Sequence, residues 1–159
     1  MKLGIQYLSN YNKFWEEVSS KDGDSGYDLR AAIDEPIELK PGERRIIPNG
    51  IKTELLLDGI ESESFPALDQ SVEIQIRPRS GLAAKKGIMV VNTPGTVDFS
   101  YRGEVMTILF NSGTESFQIN PGDRIAQMVV CPIFKPVIQR LEDTSKTERG
   151  EGGFGHTGV

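Results

Sequence analysis

Apolar and polar residues alternate along much of the chain with a period of two. Val72, Ile74 and Ile76 are separated by Glu73 and Gln75, the pattern of a strand with one face in a core and the other toward solvent. Glu104 to Phe110 is apolar on both faces, as a buried core strand would be. Arg44 to Ile47, Ile51 to Leu57 and Ile125 to Val130 read as further strands, and Met1 to Ser9 as another. Turn-forming triplets punctuate these runs: Lys40-Pro41-Gly42, Pro48-Asn49-Gly50, Asn111-Ser112-Gly113 and Asn120-Pro121-Gly122. Many short strands at this spacing predict an all-β sandwich, jelly roll or small barrel. Helical periodicity is weak. Lys13 to Ser19 predicts two turns with Asn12 as N-cap, and Ser80 to Lys86 one short helix capped by Ser80.

Composition narrows the function classes. The 159 residues fit one domain, and 37% hydrophobic with 26% charged residues is enough for a packed core. A net charge of −5 repels nucleic acid and anionic membranes, so neither is an expected partner. An anionic substrate would have to be held by a local group of arginines. The one cysteine, Cys131, cannot form an intrachain disulfide, which fits an intracellular, cytoplasmic setting. Met1 to Ser9 has neither a long apolar run nor a small-residue cleavage site, so it reads as a strand and not a signal peptide. No apolar run reaches the roughly 18 residues of a membrane span. Two segments stand apart: Asp58 to Ser71, an acidic surface loop, and Asp143 to Val159, charged and then glycine-rich. The expected organisation is a β domain over residues 1–142 and a mobile C-terminal lid over 143–159.

Five stretches carry candidate chemistry. Asp24-Ser25-Gly26-Tyr27-Asp28-Leu29-Arg30 reads, taken alone, as a loop entering a strand, with Asp28 capping a turn. In Arg77-Pro78-Arg79-Ser80-Gly81-Leu82-Ala83 a strand ends and a helix opens. Its free N–H groups and Arg79 make a plausible phosphate site, though a capped helix with a surface arginine reads equally well. Asn92 to Gly103 is a turn-rich hairpin joining two apolar strands. Within it Asp98, between Val97 and Phe99, is expected to be partly desolvated and able to act as general base, or else to cap a turn. Gly122-Asp123-Arg124-Ile125-Ala126-Gln127 opens a strand, with an ion pair expected between Asp123 and Arg124. Arg149-Gly150-Glu151-Gly152-Gly153-Phe154-Gly155-His156-Thr157-Gly158 carries one ring and one arginine among glycines, which suits a lid as well as a loose tail. His156, the only histidine, reads as a solvated tail residue, and no His or Cys spacing suits zinc.

In this order, from Ser25 to Gly158, the five stretches resemble the motifs of the trimeric dUTPase family. The most specific parts are Arg79-Ser80-Gly81, Asp98-x-x-Tyr101-x-Gly103, and Arg149-Gly150 followed by Gly152-Gly153-Phe154-Gly155. The resemblance implies a jelly-roll subunit in a homotrimer with shared active sites, hydrolysing dUTP to dUMP and pyrophosphate with Mg2+. It implies that the backbone around Asn92, Gly95, Thr96 and Val97 pairs with uracil, that Tyr101 packs beneath the deoxyribose, and that Phe154 stacks on the base. Asp98 would activate the attacking water. Arg79, Ser80, Gly81, Gln127, Arg149, Gly155, His156 and Thr157 would meet the phosphates. Asp28 would support the metal indirectly, through water. His156 departs from the family's usual small hydroxyl residue, and the loop from Asp58 to Ser71 is longer than its usual connection. Two alternatives are a dCTP deaminase, which would lack the glycine-rich aromatic tail, and a dUTPase-like trimer acting as a protein-binding regulator through that loop.

Overall fold

A computed structural model describes residues 1–56 and 72–153 of the chain. Eleven antiparallel strands and one short helix occur among the described residues. The largest sheet has four strands in the order β2 (Tyr27–Arg30), β11 (Arg124–Pro132), β6 (Val72–Pro78) and β8 (Gly95–Val97). A second joins β4 (Arg44–Pro48), β9 (Met106–Asn111) and β7 (Ile88–Val90). Two ribbons complete the layers, β1 (Lys2–Tyr7) with β5 (Ile51–Leu56) and β3 (Ile37–Leu39) with β10 (Phe117–Ile119). The architecture is the expected all-β jelly roll.

Alternation drives it. Val72, Ile74 and Ile76 are buried while Glu73, Gln75 and Arg77 lie half-buried on the other face of β6. Those three meet Leu29, Leu39, Ile47, Leu109, Ile125 and Met128 in one core, each such side chain contributing about 1.5–3 kcal/mol on burial. The expected strands from Arg44, Ile51, Ile125 and near Met1 all form, with ends shifted by one or two residues. At Gly50 the turn between β4 and β5 needs a positive φ of 69°, and a Cβ there would stand 2.9 Å from Ala32 Cβ.

Several expectations are corrected. Lys13 to Ser19 forms turns, not a helix. Asn12 does cap, its Oδ1 accepting from Phe14 N–H at 3.0 Å, but the segment is held by tertiary contacts. Tyr11 stacks between Tyr7 and Trp15 at ring separations of 4.6 and 5.3 Å, and Glu16 pairs with Arg30 at 3.3 Å. Helix α1 (Ser80–Lys86) forms as expected, but Arg79 is its N-cap and no side chain caps it; Ser80 is the first helical residue. The strand expected from Glu104 begins at Met106, because Val105 instead bonds Ile51 O and Asn49 N–H across a turn. The strands flanking Asn92 to Gly103 do pair as expected, β7 with β9 and Val90 across from Leu109, while β8 within the connection crosses to the other sheet and pairs with β6. Leu57 and the loop Asp58 to Ser71 lie outside the described residues. Among the described residues no helix is long and apolar enough to cross a membrane.

Candidate functional site

Arg79, Ser80, Gly81 and Gln127, four of the phosphate candidates, line one cleft of about 700 Å³ together with Asp28. Leu29 points to the core, so the strand period places Asp28 outward, directly across from Gln127 on β11, whose neighbours Ala126 and Met128 are buried. Asp28 lies in a strand and does not cap a turn. Its Oδ1 forms an ion pair with Arg79 Nε and its Oδ2 accepts from Arg124 Nη1, both at 3.1 Å. Arg79 also donates from Nη1 to the Arg124 carbonyl at 3.0 Å. Two partners thus fix the guanidinium plane, and the Arg79 N–H groups not engaged there can meet an anion. Gln127 is held by donation to Pro78 O at 3.0 Å. Gly26 lets the preceding loop lie on Gln127, since a Cβ there would stand 2.6 Å from its Oε1. Ser80 and Gly81, both exposed, open α1 at the cleft floor.

The expected Asp123–Arg124 pair does not form. Asp123 turns back to accept from Asn120 N–H at 2.8 Å, closing the turn, and this leaves Arg124 to Asp28. Arg124 was therefore missed as a site residue, although its outward place at the start of β11 was legible. Glu16, Lys21 and Asp24 wall the same cleft, and Lys85 faces it from α1. Asp24 heads the first candidate stretch, whereas Glu16 and Lys21 had no signal, because their segment is shaped only by what it packs against.

The base and sugar candidates lie elsewhere on the subunit. Asn92 and Thr96 are exposed, Val97 is half-buried, and buried Gly95 lies across from Ile76 on β6. A Cβ on Gly95 would stand 3.1 Å from Asn92 Nδ2, which keeps this corner tight. Asp98 is exposed in the single subunit, contrary to the expected desolvation: Val97 and Phe99 turn inward and leave the carboxylate in water. Tyr101 N–H closes a turn onto Asp98 O at 3.0 Å, and Arg102 Nη1 clamps the carbonyls of Phe99 and Tyr101 at 2.7 and 3.0 Å. The Tyr101 ring folds over Gly103 and remains exposed.

Register measures the gap between the two groups. Ile74 pairs with Val97, so Asp98 falls beside Glu73, six residues before Arg79 on the same strand direction. That is roughly 20 Å along β6. Within one chain Asp98 and Arg79 therefore stand too far apart to touch a common atom.

Arg149 is exposed and its Nε donates to Gly152 O at 2.8 Å within the tail's own turn; it does not line the cleft. Phe154, Gly155, His156 and Thr157 lie outside the described residues. Before the tail, Phe134, Val137 and Ile138 are each at least 94% exposed. Among the described residues no three His, Cys, Asp or Glu side chains gather as metal ligands.

The model of the dUTPase family matches residues 18–158. The deoxyuridine 5'-triphosphate nucleotidohydrolase of Treponema denticola is 48% identical over 137 residues, 86% of each chain. Among solved structures, the dUTPase of Staphylococcus bacteriophage 80alpha with dUPNHPP superposes with a TM-score of 0.77 at 24% identity, covering 99% of both chains. The dUTPase of phage phi11 of S. aureus, which coordinates a structural Mg(II) ion, gives 0.71 at 20% identity, covering 92% of this chain and all of that one.

Proposed function

This chain belongs to the dUTPase family and hydrolyses dUTP, and we propose that it does so by water attack on the α-phosphorus with Asp98 as general base. The water oxygen bonds to the α-phosphorus as the bridging α–β P–O bond breaks. Its electron pair leaves on pyrophosphate, the other product is dUMP, and the water's proton passes to the Asp98 carboxylate. The observation that carries this reading is the Asp28 carboxylate gripping Arg79 and Arg124 beside Ser80 and Gln127, a preorganised cradle for phosphate oxygens. Tyr101 packs under the deoxyribose, the backbone from Asn92 to Val97 meets uracil, and Phe154 with Arg149, Gly155, His156 and Thr157 closes from the tail. On this reading residues 143–159 act as a lid on a β domain over 1–142. Such an enzyme limits uracil incorporation into DNA and supplies dUMP for dTMP synthesis, a role that fits a cytoplasmic setting.

Magnesium fits as a companion of the substrate. No cage of three ligating side chains exists among the described residues, and both Asp28 oxygens are already paired with arginines. The ion would be held by phosphate oxygens and water, with Asp28 reaching it only through water. When bound it neutralises phosphate charge.

The separation along β6 supports a shared site, with Asp98 from one subunit and Arg79 from another, in a closed homotrimer. Two apolar surfaces without cover in the single subunit support the same assembly. One is the outer face of β4 and β9, with Ile46 and Met106; the other is the arm carrying Phe134, Val137 and Ile138. The test refolds Asp98→Ala and Arg79→Ala chains together with Mg2+ and measures pyrophosphate from dUTP. Random one-to-one mixing should complete about one quarter of the sites. Activity no higher than the two variants alone, with mixed trimers verified by native mass spectrometry, would refute sharing.

A further inference from the structure

Tyr101 sits in an exposed turn that no ladder fixes, yet its ring has a defined place. The phenol donates to the Glu104 carbonyl at 3.0 Å, and the ring lies on Gly103, where a Cβ would collide with it. The ring is therefore set by the backbone at Glu104. The peptide that carries this carbonyl is held on one side, since its Val105 N–H donates to Ile51 O at 2.9 Å. The Glu104 side chain adds a second anchor. Glu104 Oε1 accepts from Gly50 N–H at 2.8 Å and from Asn10 Nδ2 at 2.9 Å.

Both donors are firmly placed. Gly50 is buried in the β4–β5 turn, next to fully buried Asn49. Asn49 donates to Arg30 O at 2.9 Å and accepts from Thr107 Oγ1 at 2.9 Å. Asn10 begins the segment whose later residues, Glu16 and Lys21, wall the phosphate cleft. One carboxylate oxygen thus ties the turn bearing Tyr101 to the core and to the cleft's N-terminal wall.

We propose that Glu104 is a positioning residue for sugar recognition, holding the Tyr101 ring in place by accepting hydrogen bonds from Gly50 and Asn10. The role rests on the reading of Tyr101 as the sugar-packing residue. It requires an acceptor, not a charge: a glutamine keeps an Oε1 for the same two donors, whereas alanine leaves Gly50 N–H and Asn10 Nδ2 without it.

The experiment compares wild type, Y101A, E104Q and E104A. Two quantities are read: the ratio of kcat/KM for dUTP over UTP, and amide hydrogen exchange of residues 8–11 and 98–104. E104A should lower the ratio roughly tenfold or more and speed exchange in both segments, while E104Q stays within about twofold of wild type. If E104A fails to assemble, E104D, one methylene too short to reach both donors, takes its place. A wild-type ratio in E104A while Y101A lowers it would overturn the proposal, as would an E104Q that falls as far as E104A. If Y101A leaves the ratio unchanged, the sugar reading itself fails. Exchange then decides the tether, and unchanged exchange at 98–104 in E104A overturns it.

Discussion

Replacing Asp28 by alanine separates a structural brace from a device for aligning phosphate donors. Asp28 makes two ion pairs at 3.1 Å, with side-chain exposures of 35% for Asp28, 30% for Arg79 and 50% for Arg124. At such exposure the gross attraction of a few kcal/mol is screened to about 0.2–1 kcal/mol for each pair. Losing both costs ~1 kcal/mol, which for a chain of this size lowers Tm by about 2–4 °C. The catalytic cost is larger. Without Asp28 the Arg79 guanidinium keeps only the Arg124 carbonyl as a partner, and its plane is no longer set for the charge that builds on the phosphates. A loosened donor of this kind costs about 10²-fold in kcat, or ~2.7 kcal/mol of barrier. KM should not rise with it, since removing a carboxylate makes the cleft more positive and favours the ground-state triphosphate as much as the transition state. The assay is steady-state pyrophosphate release from dUTP with Mg2+, beside thermal melting. A Tm loss beyond about 10 °C with kcat within about fivefold of wild type would mark Asp28 as a brace and refute the alignment argument.

Three further outcomes are expected. Asp98→Asn should lower kcat by roughly 10²–10⁴-fold while a non-hydrolysable dUTP analogue still binds; near-normal turnover would remove Asp98 from the base role. A chain ending at Ser145 should lose most turnover yet keep its melting temperature, because none of the tail's described residues adds a side chain to the core; a large drop in Tm would make it a structural arm. Burial, helped by Tyr7 beside it, pushes the Tyr11 phenol above its ordinary value. The folded chain then keeps this proton where the unfolded chain has begun to lose it. This contribution to stability is intact below the ordinary phenol range and is lost as pH rises through the raised value. Denaturant titrations at alkaline pH should show that extra loss in wild type but not in Tyr11→Phe, and equal slopes would refute it.

Strands with a clear two-residue period were legible because each buries one face by itself: β6 could be read from Val72, Ile74 and Ile76 alone. Strands of three residues, such as Ile37–Leu39 and Phe117–Ile119, were not, since so short a run has no period to count. The site divides the same way. Arg79, Ser80 and Asp28 could be named from local order, and the structure brings them to one cleft with Gln127. The partner that completes Asp28 could not, because Arg124 lies 96 positions away and its nearest charge in sequence, Asp123, is used by Asn120. Asp98 was named by its motif, but its exposure depends on which way Val97 and Phe99 turn, and that is decided by packing against the core.

Charge explains why the phosphate cradle is built in pieces. The chain carries a net −5, yet its cleft gathers Lys21, Arg79, Lys85 and Arg124 against Glu16, Asp24 and Asp28, one cation in excess. The triphosphate of dUTP brings about four negative charges near neutral pH, one on each inner phosphate and about two on the last. The open cleft therefore leaves about three unmatched. On the proposed reading a divalent ion carried on the phosphates matches two of them, and Arg149 of the tail matches the third. A cradle with all its cations fixed in place would hold the ground state and the transition state alike, which tightens binding without speeding the chemical step. Delivering the last cation on a segment outside the core lets it act when charge moves onto the leaving pyrophosphate. On that reading the same segment can withdraw afterwards, and the chain's net negative charge then favours departure of the anionic products.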